Sequence, residues 1–178
     1  MEKFKSIEEL TQIDRKHLLM SSITGLSLDL ALLHENLSKE TLNEEVPDEL
    51  KSQFNIAKNM ALYTYYFYAL APEVHLKTYT VIEHALRVKA DTQKHLGLRK
   101  LLEIAVKKGW ICDAGFRHLD TNEPGNKWCT DMIDVIPQMR NLKAHGSNML
   151  VWDFLNSVAI CSDFLNQLFP KQADKDSV

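Results

Sequence analysis

Apolar residues recur at intervals of three and four positions along most of the chain, which is the spacing of helices with one buried face. No Asn-Gly or Asp-Gly dipeptide links alternating apolar and polar runs, so hairpin signals are absent from the sequence. The pattern predicts an all-α protein in which four or five helices surround one core. The two longest apolar stripes are Met132, Val135, Ile136, Met139 and Leu142, and then Val151, Phe154, Leu155, Val158, Cys161, Leu165 and Leu168.

Residues that start and stop helices set the expected boundaries. Ser6 and Glu9 have the capping-box spacing, and Asp14 is a suitable cap for the helix that follows. Pro72 removes a backbone donor and disfavours helix in the residue before it, so we expect a break there. The predicted helices are a short one after Ser6, then 15–35, 48–70, 73–95, 98–108 ended by Gly109, 127–144, and a last helix reaching Leu168.

The apolar density drops and charge rises over residues 36–49, which predicts a loop between two parts of the chain. We therefore expect an N-terminal helical extension at 1–46, a helical bundle at 47–170 and a flexible polar tail at 171–178. Residues 121–126 combine turn-forming residues and predict a surface loop.

Composition narrows the classes of function. The net charge of −3 gives no global attraction for nucleic acid, so any RNA contact needs a local basic patch. Three widely spaced cysteines and the absence of His/Cys ligand spacing predict reduced thiols, no metal site and no cofactor. The sequence starts without a secretory signal, and the apolar segment 61–71 is shorter than the roughly 20 residues of a membrane span. These features predict a cytoplasmic protein with no membrane contact.

The segment from Arg140 to Gly146 has the sequence RNLKAHG, which indicates a catalytic or binding role rather than a role in packing. On a continuous helix, five residues separate the side chains of Arg140 and His145 by roughly 140°, so they do not share a face. Three features could bring them together: a kink at Pro137, unwinding at Gly146, or a two-fold partner that places Arg140 of one copy near His145 of the other.

The same segment resembles the signature of the HEPN superfamily, in which Arg, often followed by Asn, precedes a His by a few positions. Here Arg140, Asn141 and His145 carry the likeness, and residues 83–87 (EHALR) resemble an earlier helix of that fold. The resemblance covers roughly residues 48–169. It implies a HEPN-like helical bundle with metal-independent endoribonuclease activity, a homodimer whose Arg and His residues line a shared cleft, and a toxin or defence role with RNA as substrate. It also allows an antitoxin protein as a partner.

The implied chemistry suits these residue types. His145 would take the proton of a ribose 2′-hydroxyl, and Arg140 would hold the phosphate and stabilise its developing charge. Asn141 would orient the phosphate or the imidazole, and cleavage would leave a 2′,3′-cyclic phosphate. Lys143 would add positive charge at the cleft rim, although a solvated helix lysine is the simpler interpretation.

Other interpretations stay open at this point. Glu83 and Arg87 have the spacing of a helical ion pair, or they face the motif and position Arg140 or His145. Arg140 and His145 also suit a helix C-terminus, where cations meet unpaired carbonyls. A catalytically silent HEPN-like module that binds a protein or a nucleotide is the alternative function, and an unrelated helical scaffold is a third. His75, His84, His95 and His118 are assigned no role.

Overall fold

A computed structural model of the chain describes residues 3–25, 29–91, 95–119, 125–145 and 153–171. Within these ranges the chain contains α-helices, short 3-10 turns and no strand, which confirms the all-α prediction. The helices are α1 (Arg15–Thr24), α2 (Leu30–Lys39), α3 (Asp48–Tyr63), α4 (Ala71–Ala90), α5 (Leu98–Lys107), α6 (Lys127–Ala144) and α7 (Phe154–Leu168).

Helix α4 lies at the centre of the bundle and packs against α3, α5, α6 and α7. Its buried residues are mostly apolar and recur along the helix: Ala71, Val74, His75, Thr78, Val81, Ile82, Ala85 and Leu86. Helix α7 makes the largest contact with it, through the stripe that includes Val158, Cys161 and Leu165. A central helix of this kind is buried on several sides, because each neighbour covers a different face.

The N-terminal third differs from the single helix predicted at 15–35. Helix α1 ends at Gly25, whose φ of 71° is a left-handed conformation that glycine adopts at no steric cost. A second helix starts after Asp29, whose side chain accepts a hydrogen bond from the Ala31 N–H at 2.8 Å. Helix α2 then continues to Lys39, so the loop expected from residue 36 begins only at Glu40. Leu37 explains the difference, because it is 4% exposed and packs into the core.

The boundary between α3 and α4 also differs from the predicted one. The helix predicted to reach residue 70 ends at Tyr63, and a turn and a 3-10 segment at Tyr68–Leu70 follow. Asp14 holds this turn, since its carboxylate accepts from the Tyr68 N–H at 3.0 Å and its own N–H donates to the Tyr65 carbonyl at 2.9 Å. Pro72 does not break the chain but sits in the first turn of α4, where its missing N–H costs nothing.

Polar contacts tie the N-terminal segment to the bundle. Arg117 donates from Nε to the buried carboxylate of Asp163 at 2.7 Å and from Nη2 to Glu40 at 2.5 Å. The N–H of Asn43 donates to the Asn166 side chain at 2.9 Å. Together with Leu37 in the core, these contacts make α2 and the segment after it part of the packed structure. The domain boundary at residue 46 stays a prediction.

The C-terminal half follows the predictions closely. Helix α5 ends before Gly109, which has the expected left-handed φ of 67°, and α6 spans the predicted 127–144 and runs unbroken through Pro137. Helix α7 buries most of the predicted stripe, whereas Val135 and Leu142 of α6 are exposed. Val151, most of the predicted loop at 121–126 and the tail after Lys171 lie outside the described residues.

The side chain of Asp113, which lies before α6 in the sequence, caps the first turn of α6. Its carboxylate accepts from the backbone N–H groups of Trp128 at 3.0 Å and Cys129 at 2.9 Å, and its own N–H donates to the Asn126 side chain at 2.8 Å. Desolvation, the largest single effect, raises the pKa of Asp113, but the backbone donors together outweigh it and the net pKa is lowered. The α6 terminus thus depends on one carboxylate.

We expect Asp113→Ala to lower the free energy of unfolding by about 1 kcal/mol, because it leaves two helix N–H groups without acceptors. Because the folded-state pKa is lowered, the contribution of Asp113 is complete above its unfolded-state pKa of about 3.9 and is lost as the pH falls through the folded-state value. Urea denaturation at pH 7 and at pH 3 measures both effects. Asp131→Ala, at an exposed position on the same helix, is the control, and an equal loss in both variants would contradict the capping role.

Candidate functional site

The motif segment at the end of α6 is divided between two faces of the helix. Ile136, Arg140 and Lys143 are spaced by four and three residues, so they follow the face that packs on the bundle. Ile136 and Lys143 are buried on this face, and Arg140 is half-buried. Asn141 and His145, four residues apart, are exposed on another face. Of the three predicted catalytic residues, Arg140 therefore lies on a different face of the helix from Asn141 and His145.

The guanidinium group of Arg140 reaches helix α4. Its Nη2 lies 3.5 Å from Oε2 of Glu83, and its Nη1 donates to the Asn141 side-chain oxygen at 3.3 Å. Its Nε is buried and has no hydrogen-bond partner among the described residues. Glu83 and Asn141 thus fix the orientation of the guanidinium, and each Nη atom keeps one further N–H for another acceptor.

Glu83 also pairs with Arg87, whose Nη2 donates to Oε1 at 2.7 Å. The Glu83 side chain is only 16% exposed, whereas the two arginines are each 39% exposed. The sequence left two interpretations open for Glu83, a helical ion pair with Arg87 or a contact with the motif. Glu83 makes both contacts, since it pairs with Arg87 and also lies beside Arg140. Two guanidinium groups share one carboxylate, so the cluster of Glu83, Arg87 and Arg140 retains an excess of positive charge at the α4–α6 surface.

His145 occupies the C-terminal cap position of α6, and its backbone N–H donates to the Asn141 carbonyl at 3.0 Å. Its imidazole is exposed, and the described residues show no hydrogen bond or ion pair between it and Arg140. Pro137 does not interrupt α6, which continues as a helix on both sides of it, so the roughly 140° between the two positions is kept. Gly146, the second feature that could join them, lies outside the described residues. The two-fold partner stays a prediction.

Lys143 departs from both interpretations that the sequence offered. It is only 6% exposed, so it is neither a lysine at a cleft rim nor a solvated helix residue. Burial lowers the pKa of its ammonium group, and the charge of Glu73 opposes that change. The sequence does predict this burial from spacing, because Ile136, Arg140 and Lys143 follow one face of the helix.

The described residues include no group of three His, Cys, Asp or Glu side chains arranged to hold a metal ion. Cys129 and Cys161 are buried and Cys112 is exposed, and all three are free thiols. Burial raises the pKa of Cys161, and burial followed by the nearby Asp113 raises the pKa of Cys129. Both thiols are thereby kept protonated and unreactive. No helix in the described ranges is long and apolar enough to cross a lipid bilayer.

Comparisons of this chain with protein-family models, curated proteins and solved structures find no significant match. The fold is an all-helical bundle, and its described residues include two arginines that share the carboxylate of Glu83, with the exposed His145 five residues after Arg140 in the sequence.

We expect Glu83→Gln to lower the free energy of unfolding by about 1 kcal/mol, because it leaves two half-buried guanidinium groups without their shared carboxylate. The matched control is Glu35→Gln, which removes an exposed ion pair of the same helical spacing with Lys39 and should change stability by less than about 0.5 kcal/mol. Chemical denaturation of both variants at low salt measures the difference. Equal effects would contradict the organising role of Glu83.

Proposed function

We propose that this protein is a HEPN-type, metal-independent endoribonuclease that acts as a toxin or defence protein and cleaves RNA in a cleft between two copies of the chain. The observation that carries the proposal is the arrangement at the C-terminal end of α6. Arg140 is held in place by Glu83 and Asn141, and the imidazole of His145 is exposed nearby in the sequence. These are the residues of the HEPN-like signature.

The charge of the cluster supports RNA as the substrate. The chain as a whole has a net charge of −3, so a polyanion has to be attracted locally. Arg87 and Arg140 offer that attraction, since one carboxylate compensates only part of their charge. A guanidinium group binds a phosphate through paired N–H donors, which a lysine cannot reproduce.

The proposed reaction uses the exposed imidazole of His145 and the half-buried guanidinium group of Arg140. The neutral imidazole of His145 takes the proton from a ribose 2′-hydroxyl, and the 2′-oxygen attacks the adjacent phosphorus. The bond from phosphorus to the 5′-oxygen breaks, and the leaving oxygen takes a proton from the protonated His145 of the same site or from water. Arg140 stabilises the negative charge on the phosphoryl oxygens during the attack. The products are a 2′,3′-cyclic phosphate and a 5′-hydroxyl.

The division of the motif between two faces supports a dimer as the active form. One phosphate has to meet both Arg140 and His145, and the roughly 140° between their positions along α6 directs the two side chains apart within one chain. A two-fold axis close to the end of α6 would place Arg140 of one copy beside His145 of the other, twice per dimer.

A second candidate function is a catalytically silent HEPN-like module that binds a partner protein such as an antitoxin. Exposed apolar side chains in the N-terminal segment favour it, because contiguous apolar surface commonly marks a protein interface. These side chains are Phe4, Ile7, Leu10, Leu18, Leu19 and Ile23, each more than half exposed.

The nuclease proposal predicts that the purified protein cleaves single-stranded RNA in EDTA and leaves 2′,3′-cyclic phosphate ends. His145→Ala should reduce the cleavage rate by about 100-fold or more, because it removes the general base. Arg140→Ala should cause a loss of similar size, since it removes the group that stabilises the phosphate charge. Gel assays and mass spectrometry of the product ends measure both.

His34→Ala is the matched control, because His34 is exposed on α2, outside the motif. Full activity in this variant, together with loss in His145→Ala, supports the proposal. If folded wild-type dimers cleave no RNA, the silent-module function replaces it. Cleavage that survives His145→Ala unchanged would refute the assigned chemistry.

A further inference from the structure

An open groove of about 380 Å³ lies between the N-terminal segment and the turn that joins α3 to α4. Most of its lining is apolar, and four of the lining side chains are aromatic. Each residue that lines the groove is exposed or half-buried, so an occupant can reach all of them from solvent. The aromatic residues are Phe4, Tyr63, Tyr66 and Phe67.

The aromatic residues of the turn are held by the local backbone. The Tyr63 carbonyl accepts from the N–H groups of Tyr66 at 3.1 Å and Phe67 at 3.0 Å. The ring of Tyr66 packs edge-to-face against Tyr65, with 5.0 Å between the ring centres. The side chain of Tyr63 is nevertheless 59% exposed, and Phe4 is fully exposed. Aromatic rings that stay in water on an ordered turn are available to stack on the rings of another molecule.

The charge of the groove narrows the choice of occupant. Its two charged lining residues are Lys3 and Lys5, and neither forms an ion pair with another described residue. Glu8 and Glu9 of the same segment do not line the groove, and Glu9 is paired with Arg15 at 3.7 Å. The complementary occupant therefore combines negative charge with flat rings. Single-stranded RNA has both, since its phosphates alternate with bases that each offer a π-face.

The groove lies at the same end of the bundle as His145. Leu70, in its wall, directly precedes α4, and Glu73 follows about 4.5 Å further along the helix axis. Glu73 is close enough to Lys143 to counteract the lowering of the pKa of its ammonium group. Lys143 is two residues before His145 in the sequence. An RNA strand that meets His145 therefore has the groove within reach of its neighbouring nucleotides.

We propose that this groove binds single-stranded RNA, with bases stacked on Tyr63 and Phe4 and phosphates beside Lys3 and Lys5. The inference rests on the proposed function in one respect, since the strand held here is the strand that His145 cleaves. Stacking on an aromatic side chain tolerates any base. The groove therefore holds the strand largely without regard to its sequence.

Fluorescence anisotropy with the full-length protein tests the groove independently of cleavage. The probe is a labelled 2′-O-methyl oligoadenylate about 12 nucleotides long, which the proposed reaction cannot cleave because it has no 2′-hydroxyl group. The comparison strand is an abasic oligomer of the same length and charge. We expect the wild type to bind the adenylate about 10-fold more tightly than the abasic strand, which corresponds to the stacking of one base.

Variants separate stacking from charge. Tyr63→Ala should lose most of the preference for the adenylate, whereas Tyr63→Phe should keep it because the ring remains. Leu32→Ala, at an exposed apolar position on α2, is the matched control and should bind as the wild type does. Lys5→Ala should weaken both strands equally and reduce the slope of log affinity against log salt concentration by about 0.7. Lys127→Ala, an exposed lysine at the start of α6, should leave that slope unchanged.

Equal binding of the two strands by the folded wild type would overturn the proposal and leave the groove to a partner protein. A preference for the adenylate that survives both Tyr63→Ala and Phe4→Ala would equally refute it, even if the wild type cleaves RNA. Loss of the preference in these variants supports the groove, even if the wild type cleaves no RNA and the nuclease function fails. Shifts of the Tyr63 and Tyr66 ring signals in NMR spectra of the unmodified protein decide the case if a variant fails to fold.

Discussion

The packing of α4 against four other helices is the constraint from which most of the structure follows. Each neighbour covers a different side of α4, and the residues that α4 buries are mostly apolar. Polar side chains also lie where α4 meets its neighbours. Glu83 lies at the seam with α6, where it meets Arg140, and His75 lies at a cavity between α4, α6 and α7. Both polar side chains therefore lie on the helix that organises the bundle.

Sequence reasoning was most successful where one helix carries its own signals. The bounds of α6 follow from its apolar period, and the end of α5 follows from Gly109 in a left-handed conformation. It failed where distant residues decide the local structure. The turn after Tyr63 depends on Asp14, and nothing in the local sequence predicts that a carboxylate 54 positions away accepts the N–H of Tyr68.

The same distinction applies to the candidate site. The residue types and their spacing identified Arg140, Asn141 and His145, and helical geometry alone predicted that Arg140 and His145 do not share a face. The partner of Arg140 required the tertiary structure, because Glu83 comes from another helix and its spacing to Arg87 is equally typical of a surface ion pair. Lys143 was misassigned because its charge suggested exposure, whereas its position on the inner face of α6 determines its burial.

The proposed mechanism depends most on a catalytic site that takes Arg140 from one copy and His145 from the other. The direct measurement mixes the inactive variants Arg140→Ala and His145→Ala, allows their subunits to exchange, and assays RNA cleavage while native mass spectrometry counts the mixed dimers. Half of the dimers should then be mixed, each with one intact site, so the mixture should regain about a quarter of the wild-type activity. Mixed dimers that form and remain inactive would contradict the shared site.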